Sequence, residues 1–315
     1  MGTYVARRLL LTVPLLLLVS IIVFGLSQLI QGDPAVVIAG GQKATPEGIV
    51  RAREELHLDR STIEQYGIWL GNAVRGDLGE SFYNNRTVAS EITSRFPVTL
   101  SVALGAITVT IAFGIPLGII AGTRPGSIVD RVVTFMSSIG LAIPDFWLAM
   151  VLVTILAVNL QMLPAIGYVP FTESPVEWAT HLYLPWFAMG IPGAAGLARQ
   201  VRGALIDALE QDYIRTARSK GLSGRLVVMK HALKNASIAP VTVLGISFAY
   251  MLGGTVILET IFSLPGMGQY FYSALINKDL PVIQGVVLLT ALIFVVLNLL
   301  VDVLYAYLNP KVRLA

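Results

Sequence analysis

Six long apolar stretches constrain this chain more than any other feature of its sequence. The hydrocarbon core of a bilayer is about 30 Å thick, so a helix needs about 20 apolar residues to cross it. The stretches predict spans over roughly 9 to 30, 97 to 121, 132 to 158, 183 to 198, 236 to 260 and 282 to 308. Only 13% of the residues are charged, against about 25% in a soluble domain. We therefore expect an all-α, polytopic membrane protein with about six transmembrane helices.

The first stretch follows Arg7 and Arg8, which is also how a cleaved secretory signal begins. Its apolar run is too long for a signal, and no small-residue cleavage site follows it. The sequence Gln-Gly-Asp-Pro at 31–34 instead resembles a helix stop. We interpret the stretch as a membrane anchor.

Lysine and arginine are unevenly distributed between the connecting segments. The segment 199–234 carries eight, whereas 159–182 carries none and 261–281 carries only Lys278. Because basic residues accumulate on the cytoplasmic side, both termini and segment 199–234 are predicted to be cytoplasmic. The protein is expected in a cell membrane, which it crosses several times.

Three parts of the chain follow from this layout: an N-terminal transmembrane helix at 1–30, an external region at 31–96, and a five-helix core at 97–315. Within the external region, 46–74 has the composition of a helix with apolar residues among charges. It is interpreted as an amphipathic cap on the outer face of the membrane, with a docking site for a partner as the alternative.

Several chemistries are excluded by residues that the sequence does not contain. There is no cysteine, and hence no disulfide or cysteine-held metal. There is no Gly-Lys dipeptide and so no phosphate-binding P-loop. The three histidines are scattered over predicted loops, and no HExxH or GxSxG motif is present. We predict no catalytic residues, no metal site and no cofactor bound by this chain, and the charge distribution does not indicate nucleic acid.

Gly114, Gly118 and Gly122 are spaced by four residues in the second predicted span. Residues at this spacing share one helix face, and glycine there allows another helix to approach closely. The pattern predicts a tight helix–helix contact.

Polar residues at membrane depth mark candidate pathway positions, because each is costly in lipid. Asp145 follows Pro144 in the third span, where proline bends or interrupts a helix. It is a pathway candidate or an acid bonded to a neighbouring helix. Glu259 would line an external gate or reach the headgroups. Asp302 shares a face of the last span with Asn298 and Tyr305. It is a pathway candidate or, alternatively, part of a polar group that anchors this helix at the membrane interface.

The segment 199–234 alternates charged and apolar residues at helical spacing, which predicts short helices at the membrane surface. Gly221 lies where a helix would end in a left-handed cap. The residues alone favour equally a membrane-surface helix and a docking helix for a cytoplasmic partner.

This segment resembles the cytoplasmic loop of binding-protein-dependent ABC import permeases. The similarity lies in DYIRTARSKG at 212–221 and KHALKNA at 230–236. Ala217 and Gly221 match the family's general Glu-Ala-Ala-x3-Gly pattern. Arg215 and Thr216 replace its first two residues, and His231 and Lys234 replace its later Ile and Pro, as in the peptide and nickel branch.

Other segments resemble the first permease subunit of dipeptide and oligopeptide importers, so the resemblance covers essentially the whole chain. They are the RRLL start, GDP at 32–34, GDLGES at 76–81, PDFW at 144–147 and LPGMG at 264–268. The Asn-Pro-Lys ending at 309–311 differs conservatively from the family's Asp-Pro-Arg, and Asp145 stands where the family often has a small, uncharged residue.

The resemblance implies a type I ABC importer permease fold, a prokaryotic plasma or inner membrane location, and a defined assembly. The chain would form the translocation pathway with a second, related permease and work with two cytoplasmic ATPase subunits or domains and an external solute-binding protein. ATP and magnesium would bind to the ATPases. Contact with the ATPase is implied for a set of residues in the cytoplasmic loop: Asp212, Tyr213, Arg215, Thr216, Ala217, Lys220 and Gly221.

The expected cargo is a dipeptide or oligopeptide, with nickel chelates, glutathione and oligosaccharides as alternatives. An ion-coupled secondary transporter is a further alternative, in which Asp145 and Asp302 would carry protons. The ATPase-docking loop and the scarcity of intramembrane charge argue against it.

Overall fold

The computed structural model describes residues 2–29 and 33–308, with side chains at 10, 12–29, 33–41, 43–301 and 303. Regular structure in this part of the chain is helical, apart from a β-bridge between Glu80 and Thr87. The helices are α1 (Gly2–Ser27), α2 (Pro34–Ile38), α3 (Pro46–Glu55), α4 (Thr62–Val74), α5 (Val88–Gly122), α6 (Ile128–Ala142), α7 (Asp145–Leu152), α8 (Pro175–Leu209), α9 (Asp212–Ser219), α10 (Gly224–Leu226), α11 (Leu233–Ala236), α12 (Ile238–Gly254), α13 (Val256–Ile261), α14 (Met267–Asn277) and α15 (Leu280–Leu308). A 3-10 turn lies at Gly41–Lys43, and π-helical turns at Val153–Asn159 and Val227–Ala232.

Two helices in the described part of the chain, α5 and α15, are long and apolar enough to cross a membrane on their own. Two bent pairs also qualify if each is one span: Ile128–Ala142 with Asp145–Asn159, bent by 98°, and Gly224–Ala236 with Ile238–Gly254, bent by 57°. Thr12–Ser27 is a shorter apolar helix.

The third predicted span, at 132–158, is broken at Pro144 as expected, because proline lacks the N–H that would continue the helix. The next predicted span differs from the structure in its extent. The fourth, at 183–198, is only the middle of α8, which extends unbroken past Pro185 and Pro192. Residues 199–209, the first third of the segment predicted to form short surface helices, therefore belong to α8.

The chain forms two compact units. One is built around Val98–Leu264 and the other around Ala6–Pro97 with Pro265–Val295.

In the first unit, α5 packs on α8 through the predicted glycine face. A Cβ added at Gly118 would lie 2.6 Å from Val201 Cβ, and one at Gly114 would lie 2.8 Å from Leu197 Cβ. These separations are below the 3.5–4.0 Å of ordinary carbon contacts. The prediction of a tight helix–helix contact is confirmed.

In the second unit, the predicted cap consists of α3 and α4. The N-terminus of α4 carries a capping box formed by Ser61 and Glu64. Tyr66 of α4 contacts α1, since its hydroxyl lies 2.8 Å from that of Ser20 and its ring lies 5.5 Å from that of Phe24. The helical content predicted for 46–74 is confirmed, with a break at residues 56–61.

A buried carboxylate fixes the loop that follows α4. Asp279 accepts a hydrogen bond from the Ser81 hydroxyl at 2.5 Å and one from the Phe82 backbone N–H at 3.1 Å. Ser81 and Asp279 are 2% and 4% exposed. The bond joins two segments 198 residues apart, the GDLGES stretch and the start of α15.

Candidate coupling site and pathway residues

Helix α9 is anchored by two apolar side chains. Ile214 and Ala217 are three residues apart, so they lie on the same face, and both are buried. They pack in a cluster with Leu205 and Ala208 of α8 and with residues of the segment that follows. A buried pair on an otherwise charged helix fixes which of its faces points to solvent.

The remaining predicted coupling residues form the solvent-facing surface of this region. Exposed side chains are Asp212, Tyr213, Arg215, Thr216 and Lys220, and Gly221 is exposed beside them. Arg215 and Asp212 form an ion pair at 3.4 Å, yet both are largely exposed, so the pair adds little stability. Of the seven predicted residues, only Ala217 is buried, and its role in this structure is packing.

Gly221 ends α9 in a left-handed conformation, with φ of +77°. Its N–H donates to the carbonyl of Arg218 at 2.9 Å. Glycine populates positive φ without the penalty other residues incur, and the predicted left-handed cap is confirmed.

An ion pair between a half-buried arginine and a buried aspartate ties α8 to the start of α6. Arg202 donates to Asp130 through both Nε and Nη2, the latter at 2.8 Å from Oδ2. Asp130 is 3% exposed and also accepts from the backbone N–H of Gly126 at 2.9 Å. The pair therefore holds the short connection before α6 against α8, seven residues before α8 ends.

The two described pathway candidates lie on helices that pack together, α7 and α13. Asp145 is half-buried at the N-terminus of α7, and its Oδ1 accepts the N–H of Phe146 at 2.8 Å. Glu259 on α13 is fully buried and accepts a hydrogen bond from Thr99 Oγ1 at 2.6 Å. Asp302 lies in α15, and its side chain is outside the described residues.

Residues 114–314 match the family of binding-protein-dependent transport system inner membrane components, and residues 1–103 match the N-terminal part of that family. The chain belongs to this family. A peptide transport system permease protein of Brucella abortus is 42% identical over 313 residues, covering 99% of each chain. A peptide ABC transporter permease protein of Sinorhizobium fredii is 37% identical, covering 99% of this chain and 100% of the other. A glutathione transport system permease protein of Escherichia coli is 39% identical, covering 99% of each chain.

Among solved structures, an inward-facing form of the MetNI methionine ABC transporter is similar in fold. It superposes with a TM-score of 0.57 at 20% identity, over 69% of this chain and 96% of the other. The predicted type I ABC importer permease fold is confirmed. This permease is a membrane subunit of an ABC importer and is not itself an enzyme.

Sequence reasoning missed the polar pairs that hold this permease together. Asp130 and Arg202 are 72 residues apart, and Ser81 and Asp279 are 198 apart. A single sequence offers no signal that pairs residues at such separations. The only local hint was the position of Asp130 in the first turn of a helix capped by Ser127.

Proposed function

We propose that this permease imports dipeptides or oligopeptides, and that the exposed surface of α9 together with Gly221 is where the ATPase docks. The observation that carries the proposal is the division of α9 into a buried pair, Ile214 and Ala217, and an exposed surface that includes Tyr213 and Arg215. A helix anchored in this way transmits a force applied to its outer face into α8.

The assembly we propose contains a second permease, two cytoplasmic ATPase subunits or domains, and an external solute-binding protein. Closure of the ATPases would push α9, and α8 would follow because Leu205 and Ala208 pack against Ile214. Interfaces and packed cores switch between discrete arrangements, so the motion would convert an inward-open pathway to an outward-open one. ATP and magnesium would bind to the ATPases.

The pathway candidates have one role in this proposal, that of a gate. We place Asp145 and Glu259 at a gate because the helices that carry them, α7 and α13, pack together. Asp302 remains a further candidate on α15.

A peptide cargo is supported by the relatives from Brucella and Sinorhizobium, which are named peptide permeases. Glutathione, itself a small peptide, is the second candidate, because the E. coli relative of similar identity is named for it. Competition of labelled dipeptide uptake by glutathione separates the two.

The docking proposal is tested by replacing Tyr213 with alanine. Tyr213 is 39% exposed and makes up part of the outer surface, and tyrosine is a residue that often dominates an interface. We expect association with the ATPase to weaken by about tenfold or more, while the amount of inserted permease stays unchanged. Binding of purified ATPase to the reconstituted permease gives the measurement.

Tyr83→Ala is the matched control, because the same change is made at a side chain that is 75% exposed in the predicted external region. It should leave ATPase association unaltered. Equal association for Tyr213→Ala and the unaltered chain would refute the docking surface.

A further inference from the structure

The segment Gly224–Ala236, between Gly221 and α12, has one face that is already occupied. Val227, Ala232 and Ala236 are buried, and they belong to the cluster that anchors α9. The orientation of the segment about its own axis is therefore fixed.

Its other face combines cations with apolar side chains. Leu226 and Met229 are 41% and 53% exposed, and Arg225, Lys230 and Lys234 are exposed beside them. Arg225 and Met229, Leu226 and Lys230, and Lys230 and Lys234 are each four residues apart. Because Val227–Ala232 is a π-helical turn, with slightly more than four residues per turn, side chains at this spacing lie side by side. Long Lys and Arg side chains can lie along an apolar surface while their charged ends reach the headgroup layer, so cations beside an exposed Leu and Met suit a membrane interface.

The charge of this part of the chain has one sign. From 222 to 258 there are three basic residues, Arg225, Lys230 and Lys234, and no acidic one. Cations directly beside a membrane span attract anionic phospholipids.

The segment is also inclined in the way that an interfacial helix requires. It meets the helix Ile238–Gly254 at an angle of 57°. Spans tilt on average about 20° from the bilayer normal, so the segment would lie at roughly 40–80° from that normal. It continues from a span while turning towards the plane of the membrane.

We infer that the face formed by Arg225, Leu226, Met229, Lys230 and Lys234 binds anionic phospholipid headgroups of the cytoplasmic leaflet. The inference rests on the cytoplasmic orientation in the proposed function. Leu226 and Met229 enter the headgroup region while the three cations contact phosphates. Lipid is favoured over the ATPase because the face is contiguous with a span and carries exposed apolar side chains between its cations.

A fluorescent label at this face tests the inference. Because the chain has no cysteine, Met229→Cys gives a single site for an environment-sensitive dye on the full-length permease in nanodiscs. With phosphatidylglycerol in the bilayer, emission should shift to shorter wavelength and iodide quenching should fall, compared with phosphatidylcholine alone. Each Gln replacement at Arg225, Lys230 or Lys234 should raise the phosphatidylglycerol fraction needed for half the shift. A dye at Ser219, exposed on α9, is the control and should show no lipid dependence.

The size of the effect follows from the charge: loss of one cation corresponds to about a fivefold change in the apparent affinity for anionic lipid. An emission that is identical in the two lipids would overturn the inference. A lipid-dependent shift that persists when all three cations are replaced would also overturn it. So would protection of the dye from iodide quenching that occurs only after the ATPase is added. Neither ATP nor cargo enters the measurement, so failure of ATP-dependent uptake would leave a positive lipid result standing.

Discussion

Replacing Gly118 with alanine tests how closely α5 and α8 approach. The added Cβ would lie 2.6 Å from Val201 Cβ and 2.8 Å from the carbonyl oxygen of Ala198. Carbon atoms in contact are normally 3.5–4.0 Å apart, so the helices must separate locally by about 1 Å. Overpacking of this kind costs about 1–3 kcal/mol.

Gly203→Ala is the matched control on α8, because a Cβ there meets no atom within 4 Å. Alanine in a helix interior is favoured over glycine by roughly 0.5–1 kcal/mol. Both variants gain this helix propensity, so they should differ in stability by the overpacking cost alone, about 1–3 kcal/mol.

Apparent melting of the purified permease, followed by tryptophan fluorescence, measures this difference. One kcal/mol shifts the melting temperature of a chain of this length by about 1.5 °C. Gly118→Ala should therefore melt about 2–4 °C below Gly203→Ala. Equal melting of the two variants would show that the α5–α8 contact is not as close as described.

Three further changes probe other contacts. Asp130→Asn should destabilise the permease by about 1–3 kcal/mol, since Arg202 keeps its charge without a partner; adding Arg202→Gln should recover part of the loss in thermal melting. Ser81→Ala removes the hydroxyl that donates to the buried Asp279 and should cost about 1–3 kcal/mol; faster proteolysis of the GDLGES loop would show the loss, and unchanged proteolysis would contradict it. Gly221→Ala meets no steric clash, but the alanine must adopt φ of +77°, which costs about 1–2 kcal/mol. The stimulation of ATP hydrolysis by the permease should therefore fall, and Gly221→Asn should retain more of that stimulation.

Local features of the fold were predictable from sequence because their causes are local. Four-residue spacing placed the glycines on one face of α5, Pro144 predicted the break in the third span, and Gly221 predicted the cap of α9. Each depends on the geometry of a single helix, which a short stretch of sequence determines.

Tertiary features were not predictable. The 98° bend after α6 depends on what packs around Pro144 as well as on proline itself. Pro185 did not interrupt α8, because helices in a packed membrane protein can satisfy the carbonyls that proline frees. The division of α9 into a buried and an exposed side required knowing that Leu205 lies against Ile214.

Uptake into proteoliposomes tests the central claim most directly. The vesicles would contain this permease, its partner permease, the ATPases and the binding protein, and uptake of a labelled dipeptide would be compared with and without ATP on the ATPase side. We predict uptake that requires both ATP and the binding protein, and that is lost with Tyr213→Ala. Uptake by this permease alone, driven by a proton gradient, would contradict the assignment and would direct attention to Asp145 and Asp302.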